Sequence, residues 1–171
     1  MPTFLPDCLS ILSRTPATLN TLLRDLPESF TDATEGPGTW SPHTVIGHLI
    51  HGEKTDWLPR IEIILQHGPS RTFEPFDREA PLEHQDLAQL LDEFANLRAA
   101  NLAKLDAVKL QPEHLALQGN HPAFGPVTMR QLLATWTAHD LAHLLQISRV
   151  MAKSLKQEVG PWAEYLSVMH R

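Results

Sequence analysis

The sequence predicts an all-α protein, a four-helix bundle with an additional short C-terminal helix. Apolar residues recur at helical spacing in four long segments, and no segment shows sustained two-residue alternation of apolar and polar residues. The Pro/Gly-rich stretches are short, which is typical of interhelical loops. With 171 residues and 42% apolar content, the chain is long enough for one well-buried core. We therefore expect residues 1–171 to form a single helical-bundle domain.

The first two predicted helices share a start signal, a Ser or Thr N-cap followed by proline at the first helical position. Thr15–Pro16 begins a helix over about 15–27, in which leucines repeat at helical spacing. Ser41–Pro42 begins a second helix that extends to about Gln66. Pro59 lies inside this second helix and can kink it.

The third and fourth helices are predicted in the second half of the chain. Leu82 to Val108 keeps a helical apolar period without Gly or Pro. The fourth helix begins at a capping box, Thr128-Met-Arg-Gln131, and continues to about Ser154. Its apolar residues spread nearly around the helix, which indicates burial on more than one side. Since a four-helix bundle seldom buries every face of one helix, we expect a homodimer.

The C-terminal segment after Lys156 restarts near Gly160 as a short amphipathic helix with Trp162, Leu166 and Met169 on its apolar side. This segment is the additional short helix of the predicted fold.

The charge and composition argue against several classes of function. A formal net charge of −6 and a pI of about 5.9 give no basic surface for nucleic acid or anionic membrane. No apolar run approaches the length of a membrane span, and the first residues do not resemble a secretory signal, so we expect a cytoplasmic protein. The single cysteine, Cys8, cannot form an internal disulfide and is interpreted as a buried thiol.

His139 and His143 lie one helical turn apart on the fourth predicted helix. Both imidazoles therefore project from one face at a separation that can bind a single metal ion. The same face carries Leu132, Trp136 and Val150, so it is expected to point into the core. Two buried histidines need partners, and either buried carbonyl groups or a shared cation would satisfy them. The intervening residues lack the glutamate of the zinc peptidase motif, which makes peptidase chemistry an unfavourable interpretation.

A third ligand would have to come from another helix, and the second helix offers three candidates. His51 lies opposite its apolar face, His48 lies somewhat nearer to that face, and His43 in the first turn lies nearer still. The helical pattern alone prefers His48 over His51 without deciding the choice. Gly52, one turn beyond His48, would leave room for an open coordination position, although a close helix-packing contact would equally explain a glycine there.

Two segments together resemble the DinB-like superfamily of metal-binding four-helix bundles. The first, Trp40 to Glu53, contains Trp-x7-His-Leu, and the second, Trp136 to Ile147, contains His-x3-His-x2-Gln. The resemblance implies that a histidine of the second helix and the two histidines of the later helix bind a divalent metal. Carried over by position, these ligands are His48, His139 and His143. The resemblance implies zinc first, with nickel or iron as alternatives.

The functional hypothesis follows from the donor set and the resemblance together. Three neutral imidazoles leave a divalent cation at least one open position, as in catalytic sites. Such a metal can lower the pKa of a bound water or thiol. Several members of the resembling family are thiol-dependent S-transferases, so we expect a metal-dependent transferase or hydrolase acting on a small-molecule substrate, with a low-molecular-weight thiol as partner. The alternatives are a non-catalytic, stress-associated bundle that binds metal or a small ligand, and a purely structural bundle.

Several other polar residues have two interpretations each. Glu53 and Asp56 could act as a general base or orient a ligand, but Asp56 could simply pair with Arg60 and Glu53 could reach a loop or solvent. Gln146 could contact a metal-bound water or hydrogen-bond between helices, and His121 could reach the mouth of the bundle. The tryptophans are interpreted first as core residues and second as cavity lining.

Overall fold

The computed structural model describes residues 3–77 and 86–170, and these residues are mostly helical. The helices are α1 (Phe4–Leu12), α2 (Thr15–Leu23), α3 (Glu28–Thr31), α4 (Pro42–Thr55), α5 (Trp57–His67), α6 (Leu87–Val108), α7 (Met129–Ser154) and α8 (Lys156–Val159). Short 3-10 turns occupy Gly68–Ser70, Pro112–Ala116, Gly160–Tyr165 and Ser167–Met169. Two strands, β1 (Gln118–His121) and β2 (Gly125–Thr128), form an antiparallel hairpin.

The long helices form a four-helix bundle, which confirms the predicted fold class. Its four members are α1 with α2, α4 with α5, α6, and α7. Helix α4 packs against α6 and α7, α1 packs against α7, and α2 packs against α6. In the described ranges, no helix combines the length and the apolar character that crossing a bilayer requires.

The predicted start signals of two helices form the expected caps. The Ser41 side chain accepts a hydrogen bond from the backbone N–H of Thr44 at 3.1 Å, with Pro42 at the first helical position. At the start of α7, Thr128 and Gln131 form the reciprocal capping box, with distances of 3.2 and 2.8 Å. These caps fix where the histidine-bearing helices begin.

The second predicted helix is divided at Asp56 into α4 and α5. Pro59 is the cause, because it has no N–H for the carbonyl of Thr55, four residues earlier. The chain continues in helical conformation on both sides, and the backbone N–H of Asp56 still donates to the carbonyl of Gly52 at 3.0 Å.

Other elements differ from the sequence-based expectations. Helix α1 was not predicted, because it is short and contains Pro6, which is tolerated in a first turn. The first predicted helix ends at Leu23 rather than near residue 27, since Arg24 is extended and Asp25 has a positive φ of 62°. The third begins at Leu87 in the described chain, and residues 82–85 of the prediction lie outside the described residues.

The β-hairpin was also absent from the prediction, because strands of four residues are too short to show alternation. The hairpin rests on α5 through Gly119. A Cβ at this position would lie 2.5 Å from Cζ of Phe73 and 2.8 Å from Cγ1 of Ile64, so only glycine permits the contact. The backbone N–H of Phe73 donates to the carbonyl of Asn120 at 2.9 Å and holds the preceding loop to the hairpin.

The C-terminal segment is helical, as predicted, but it consists of consecutive short turns. Gly160 has a positive φ of 54°, which ends α8 and prevents one continuous helix. Met169 is buried, whereas Trp162 is 71% exposed. The segment therefore attaches to the bundle mainly through its last turn.

The apolar core consists of two clusters at successive levels of the bundle. One cluster joins α1, α5, the end of α6 and the start of α7, and includes Leu12, Ile61, Leu105 and Trp136. The other joins α2, α4, the start of α6 and the later part of α7, and includes Leu19, Ile46, Phe94 and Ile147.

A buried polar network lies between the two clusters along α4, α6 and α7. The Arg98 guanidinium donates to Oε1 of Glu53 from Nε and Nη2 at 3.0 and 2.8 Å. It also donates to both oxygens of Asp140 at 2.6 and 3.0 Å, and to the carbonyl of Leu12 at 2.8 Å. Asn101 donates to Oε2 of Glu53 at 2.9 Å. One side chain thus connects three of the four bundle members directly and α1 through its last carbonyl.

The charges in this network are almost fully removed from water. Arg98 is 1% exposed, Glu53 2% and Asp140 0%. Burial disfavours the charged guanidinium, but the hydrogen bonds and charges of Asp140 and Glu53 outweigh burial and raise the pKa of Arg98. The guanidinium also lies over the rings of Phe94 and Trp136, at 5.0 and 5.1 Å.

Replacing Arg98 by Met is expected to lower the free energy of unfolding by about 3–5 kcal/mol, because two buried carboxyl groups lose their partner. Urea unfolding followed by circular dichroism measures this change. The exposed Arg71→Met variant is the control and should unfold like the wild type. An exposed ion pair contributes about 1 kcal/mol or less. If Arg98→Met lowers the free energy of unfolding by no more than this, the stabilising role given to the network is contradicted.

Candidate metal centre

Three histidine side chains from α4 and α7 converge at the side of the bundle. The Nε2 atom of His139 lies 3.0 Å from Nε2 of His48 and 3.1 Å from Nε2 of His143. One ligand atom from each ring can be chosen so that all three lie within 4.8 Å of one another. In the described parts of the chain, this is the one group of three or more such residues that could hold a metal ion.

Hydrogen bonds among the rings do not explain this arrangement. The Nε2 atom of a neutral imidazole offers either one N–H or one lone pair, yet Nε2 of His139 contacts two other ring nitrogens. Three lone pairs directed at one cation do explain it, since two nitrogens bound tetrahedrally to one Zn²⁺ lie about 3.3 Å apart. The donor set therefore fits a divalent metal ion.

Gln146 sets the tautomer of His143. Its Oε1 atom lies 2.9 Å from Nδ1 of His143, and because the amide oxygen can only accept, Nδ1 must carry the proton. The lone pair of the neutral ring is then on Nε2, which faces the other two histidines. In the structure Gln146 thus contacts a ring of its own helix, one turn from the residue that it orients.

Burial changes the protonation of the two histidines on α7. Burial, followed by the nearby His143, His48 and Arg98, lowers the pKa of His139 to about 3, so the ring is neutral at pH 7. Burial also lowers the pKa of His143, against the effects of Gln146 and Asp140. Neutral rings keep the lone pairs that metal binding requires.

Packing positions the His139 ring, because its Nδ1 atom is buried without a hydrogen-bond partner among the described residues. The ring meets the indole of Trp57 edge-on at 5.2 Å between centroids, and Trp57 stacks on Trp136 at 5.8 Å. Among the described residues, His139 therefore makes its polar contacts at Nε2, on the side of the candidate site.

The remaining histidine candidates of α4 lie apart from this cluster. His43 and His51 are not members of the three-histidine group. The ring of His51 instead packs on Phe76 at 4.9 Å. The structure thus brings together the three residues implied by the family resemblance, including the one that the helical pattern left undecided.

Glu53 and Asp56 have different surroundings. Both carboxylate oxygens of Glu53 accept hydrogen bonds from the core, Oε1 from Arg98 and Trp136 and Oε2 from Asn101. Asp56 forms the expected ion pair with Arg60, at 2.6 Å, and both side chains line a cavity. Glu53 therefore belongs to the buried network, whereas Asp56 faces the site.

A cavity of about 820 Å³ opens beside the three histidines. Its wall is formed by residues of the loop before α4, the loop after α5 and the tip of the hairpin, together with α4, α5 and α7: Trp40, His48, Gly52, Asp56, Trp57, Arg60, Pro75, Phe76, His121, Pro122, Ala123, Phe124, His139 and His143. His121 thus lines the cavity beside the three histidines, as do Trp40 and Trp57. Trp136 is core and Trp162 is exposed.

The position of Trp40 is secured by an ion pair at the other side of its loop. Its ring lies 4.8 Å from that of His48 and 6.3 Å from that of His143. Glu35, in the same loop, accepts two hydrogen bonds from Nε of Arg149 at 2.9 and 3.0 Å and one from Nη2 at 2.6 Å. Hydrogen bonds from Arg149 and Lys153, the latter 2.7 Å away, lower the pKa of Glu35 to about 2.

Three contributors to the site were missed from the sequence. Arg98 and Asn101 fall at the helical positions between Phe94 and Leu105, so their place on an apolar stripe was a usable sign of burial. Phe76 could not be found in this way, because it lies in a loop without periodicity and meets His48 edge-on at 5.3 Å.

Comparison with known proteins gives one family match and a structural likeness. A family model described as the DinB superfamily matches residues 11–147, a range that contains all three histidines. The structure of YfiT from Bacillus subtilis, described as a probable metal-dependent hydrolase with an unusual four-helix bundle topology, matches with a TM-score of 0.73 and 18% identity over 86% of each chain. At this identity the likeness shows the fold. Comparison with curated protein sequences found no match.

Purified protein, prepared without a metal-affinity step, is expected to bind a single divalent ion per chain, and His139→Ala should abolish this binding because it removes the central donor. Elemental analysis and titration with Zn²⁺ measure the content and the affinity. His51→Ala, on the same helix as His48, is the matched control and should retain the metal. Equal metal content in His139→Ala and wild type would exclude this site.

Proposed function

Because the chain belongs to the DinB superfamily, we propose that it is a metal-dependent enzyme that activates a small nucleophile, in the first place a low-molecular-weight thiol. The observation that carries this proposal is the convergence of His48, His139 and His143 at the wall of an open cavity. When bound there, a divalent cation, with zinc preferred, supplies an open coordination position and lowers the pKa of a thiol or water.

The protein side chains have separate tasks in this proposal. Gln146 keeps the Nε2 lone pair of His143 directed at the centre. Trp40 and Trp57 flank the histidine rings and exclude water from their sides. Glu53 is excluded as general base, because Arg98, Trp136 and Asn101 already occupy its oxygens in the core.

The size of the cavity favours transfer between two small molecules. A volume of about 820 Å³ is at the upper end of the range for sites that enclose one drug-sized ligand. It therefore has room for a thiol and an electrophilic substrate together. The alternative is a hydrolase, in which water replaces the thiol, and the description of YfiT as a probable metal-dependent hydrolase supports it.

A non-catalytic metal- or ligand-binding protein is the competing class. It would need no open position beside the metal, whereas here the three histidines line a cavity that reaches the surface. The accessibility of the cavity therefore favours the enzyme.

Zinc-loaded protein is expected to accelerate thioether formation between 2-mercaptoethanol and 1-chloro-2,4-dinitrobenzene, a reaction followed by its absorbance. The S–C bond forms, chloride leaves with the C–Cl electron pair and the thiol proton passes to water. His48→Ala should reduce turnover roughly 100-fold or more, because the metal-dependent activation is lost, while His51→Ala should retain it.

Two outcomes would change the assignment. Hydrolysis of p-nitrophenyl acetate that requires His48, without thioether formation, would favour the hydrolase. Turnover of neither substrate by metal-loaded protein would favour the passive binding protein.

We further propose that the protein forms a homodimer through α7. Leu141 and Leu145 lie one turn apart on this helix and are 48% and 52% exposed. Two leucines on one exposed face of a long central helix can bury each other across a two-fold axis.

Sedimentation at high micromolar concentration is expected to give a dimer mass, and the double substitution Leu141→Lys and Leu145→Lys should give a monomer because it places like charges in the contact. Leu117→Lys changes a leucine of similar exposure, 40%, outside α7 and should remain dimeric. A monomeric wild-type protein at this concentration would refute the dimer.

A further inference from the structure

We propose that Arg60, at the end of the cavity away from the three histidines, binds a carboxylate group of the thiol or substrate. This inference rests on the proposed function, since it assigns the part of the same ligand that does not meet the metal. The ligand class is a small organic molecule with a thiol at one end, an apolar spacer and a carboxylate at the other.

The position of Arg60 follows from a four-residue repeat along α4 and α5. His48, Gly52, Asp56 and Arg60 are spaced by four residues, and all four line the cavity. At 1.5 Å per residue, Asp56 lies about 12 Å from His48 along the helical path. The ion pair with Asp56, at 2.6 Å, brings the Arg60 guanidinium back to the level of residue 56. A ligand of several bonds can therefore span the two ends.

Arg60 is only 8% exposed, yet its guanidinium has N–H groups that are not used in hydrogen bonds to the described residues. Nη2 contacts Oδ1 of Asp56 and lies 3.5 Å from the carbonyl of Glu74. Nε and Nη1 donate to no residue in the part of the chain that the structure describes. Since a guanidinium carries five N–H groups, several of them remain for an acceptor inside the cavity.

Two neighbouring groups add donors at the same end. Nδ1 of His121 accepts the backbone N–H groups of Ala123 and Phe124 at 3.1 and 3.3 Å, so the neutral ring carries its proton on Nε2. His121 and Arg60 contact the same ring, that of Phe73, at 6.3 and 5.3 Å. Both groups therefore lie beside one aromatic ring and line the same cavity.

The charges near Arg60 and the apolar wall of the cavity favour one chemical class of ligand. Asp56 already offsets the charge of Arg60, so a singly charged carboxylate suits this end better than a doubly charged phosphate. Carboxylate oxygens also accept the N–H groups that a guanidinium presents. The wall residues Pro75, Phe76, Pro122 and Phe124 are apolar and would contact the spacer.

The test uses the whole protein loaded with Co²⁺, in which a thiolate on the metal produces a sulfur-to-cobalt charge-transfer band. Titrations compare 6-mercaptohexanoate with its neutral analogue 6-mercaptohexanol. We expect the wild type to bind the carboxylate at least about tenfold more tightly, the scale of one charge-assisted hydrogen bond. Arg60→Gln should remove this preference and leave the affinity for 6-mercaptohexanol unchanged.

Two further variants keep the result interpretable. Arg14→Gln removes an exposed arginine that does not line the cavity, and it should retain the preference. Asp56→Asn with Arg60→Gln removes both charges at once, so it avoids an unpaired buried carboxylate if the single variant unfolds. This double variant should also lose the preference.

The outcomes separate this inference from the proposed function. Equal wild-type affinities for the two thiols, or a preference that persists without Arg60, would overturn the carboxylate site and leave thiol activation standing. Absence of the charge-transfer band with both thiols would overturn the proposed function and this inference with it.

Discussion

The geometry of the site depends on the hydrogen bonds that the buried Arg98 guanidinium donates. They hold Glu53 of α4, Asp140 of α7 and the last carbonyl of α1 around one buried group. Asp140 directly follows His139, and Glu53 lies five residues after His48. The two helices that supply the histidines are therefore fixed to each other through α6, a helix that contributes no ligand. Apolar packing alone would allow small sliding between α4 and α7, whereas hydrogen-bonded charges in a dry interior permit very little.

The network also shapes the electrostatics of the site. Two carboxyl groups share one guanidinium, which gives the buried group a formal charge of −1 when all three are ionised. His139 and His143 nearby add no compensating charge, because burial lowers the pKa of both rings and keeps them neutral at pH 7. A divalent cation on the histidines would therefore be attracted by the buried acid groups as well as by its ligands. Metal affinity and the stability of the bundle thus share a common origin.

The sequence alone predicted those parts of the structure that depend on the spacing of residues within one helix. The bundle, the caps at Ser41 and Thr128, and the pairing of His139 with His143 all follow from spacing within one helix. His48 required the family resemblance, because packing between helices decides which of three histidines meets α7. The hairpin and Phe76 were not predicted, because short strands and loops show no periodic pattern of apolar residues in the sequence. Arg98 lies on an apolar stripe of its helix, which indicates burial. Its partners on α4 and α7 are distant in sequence, so spacing within one helix does not predict them.

The hairpin has a consequence for how such a site could diversify. It rests on α5 through Gly119, and its tip, residues 121–124, forms one rim of the cavity while contributing no histidine to the three-histidine group. Substitutions or insertions at this tip can therefore reshape the entrance without disturbing the histidines or the buried charges. Related proteins could keep one metal centre and exchange their substrates by changing a few residues of a surface turn.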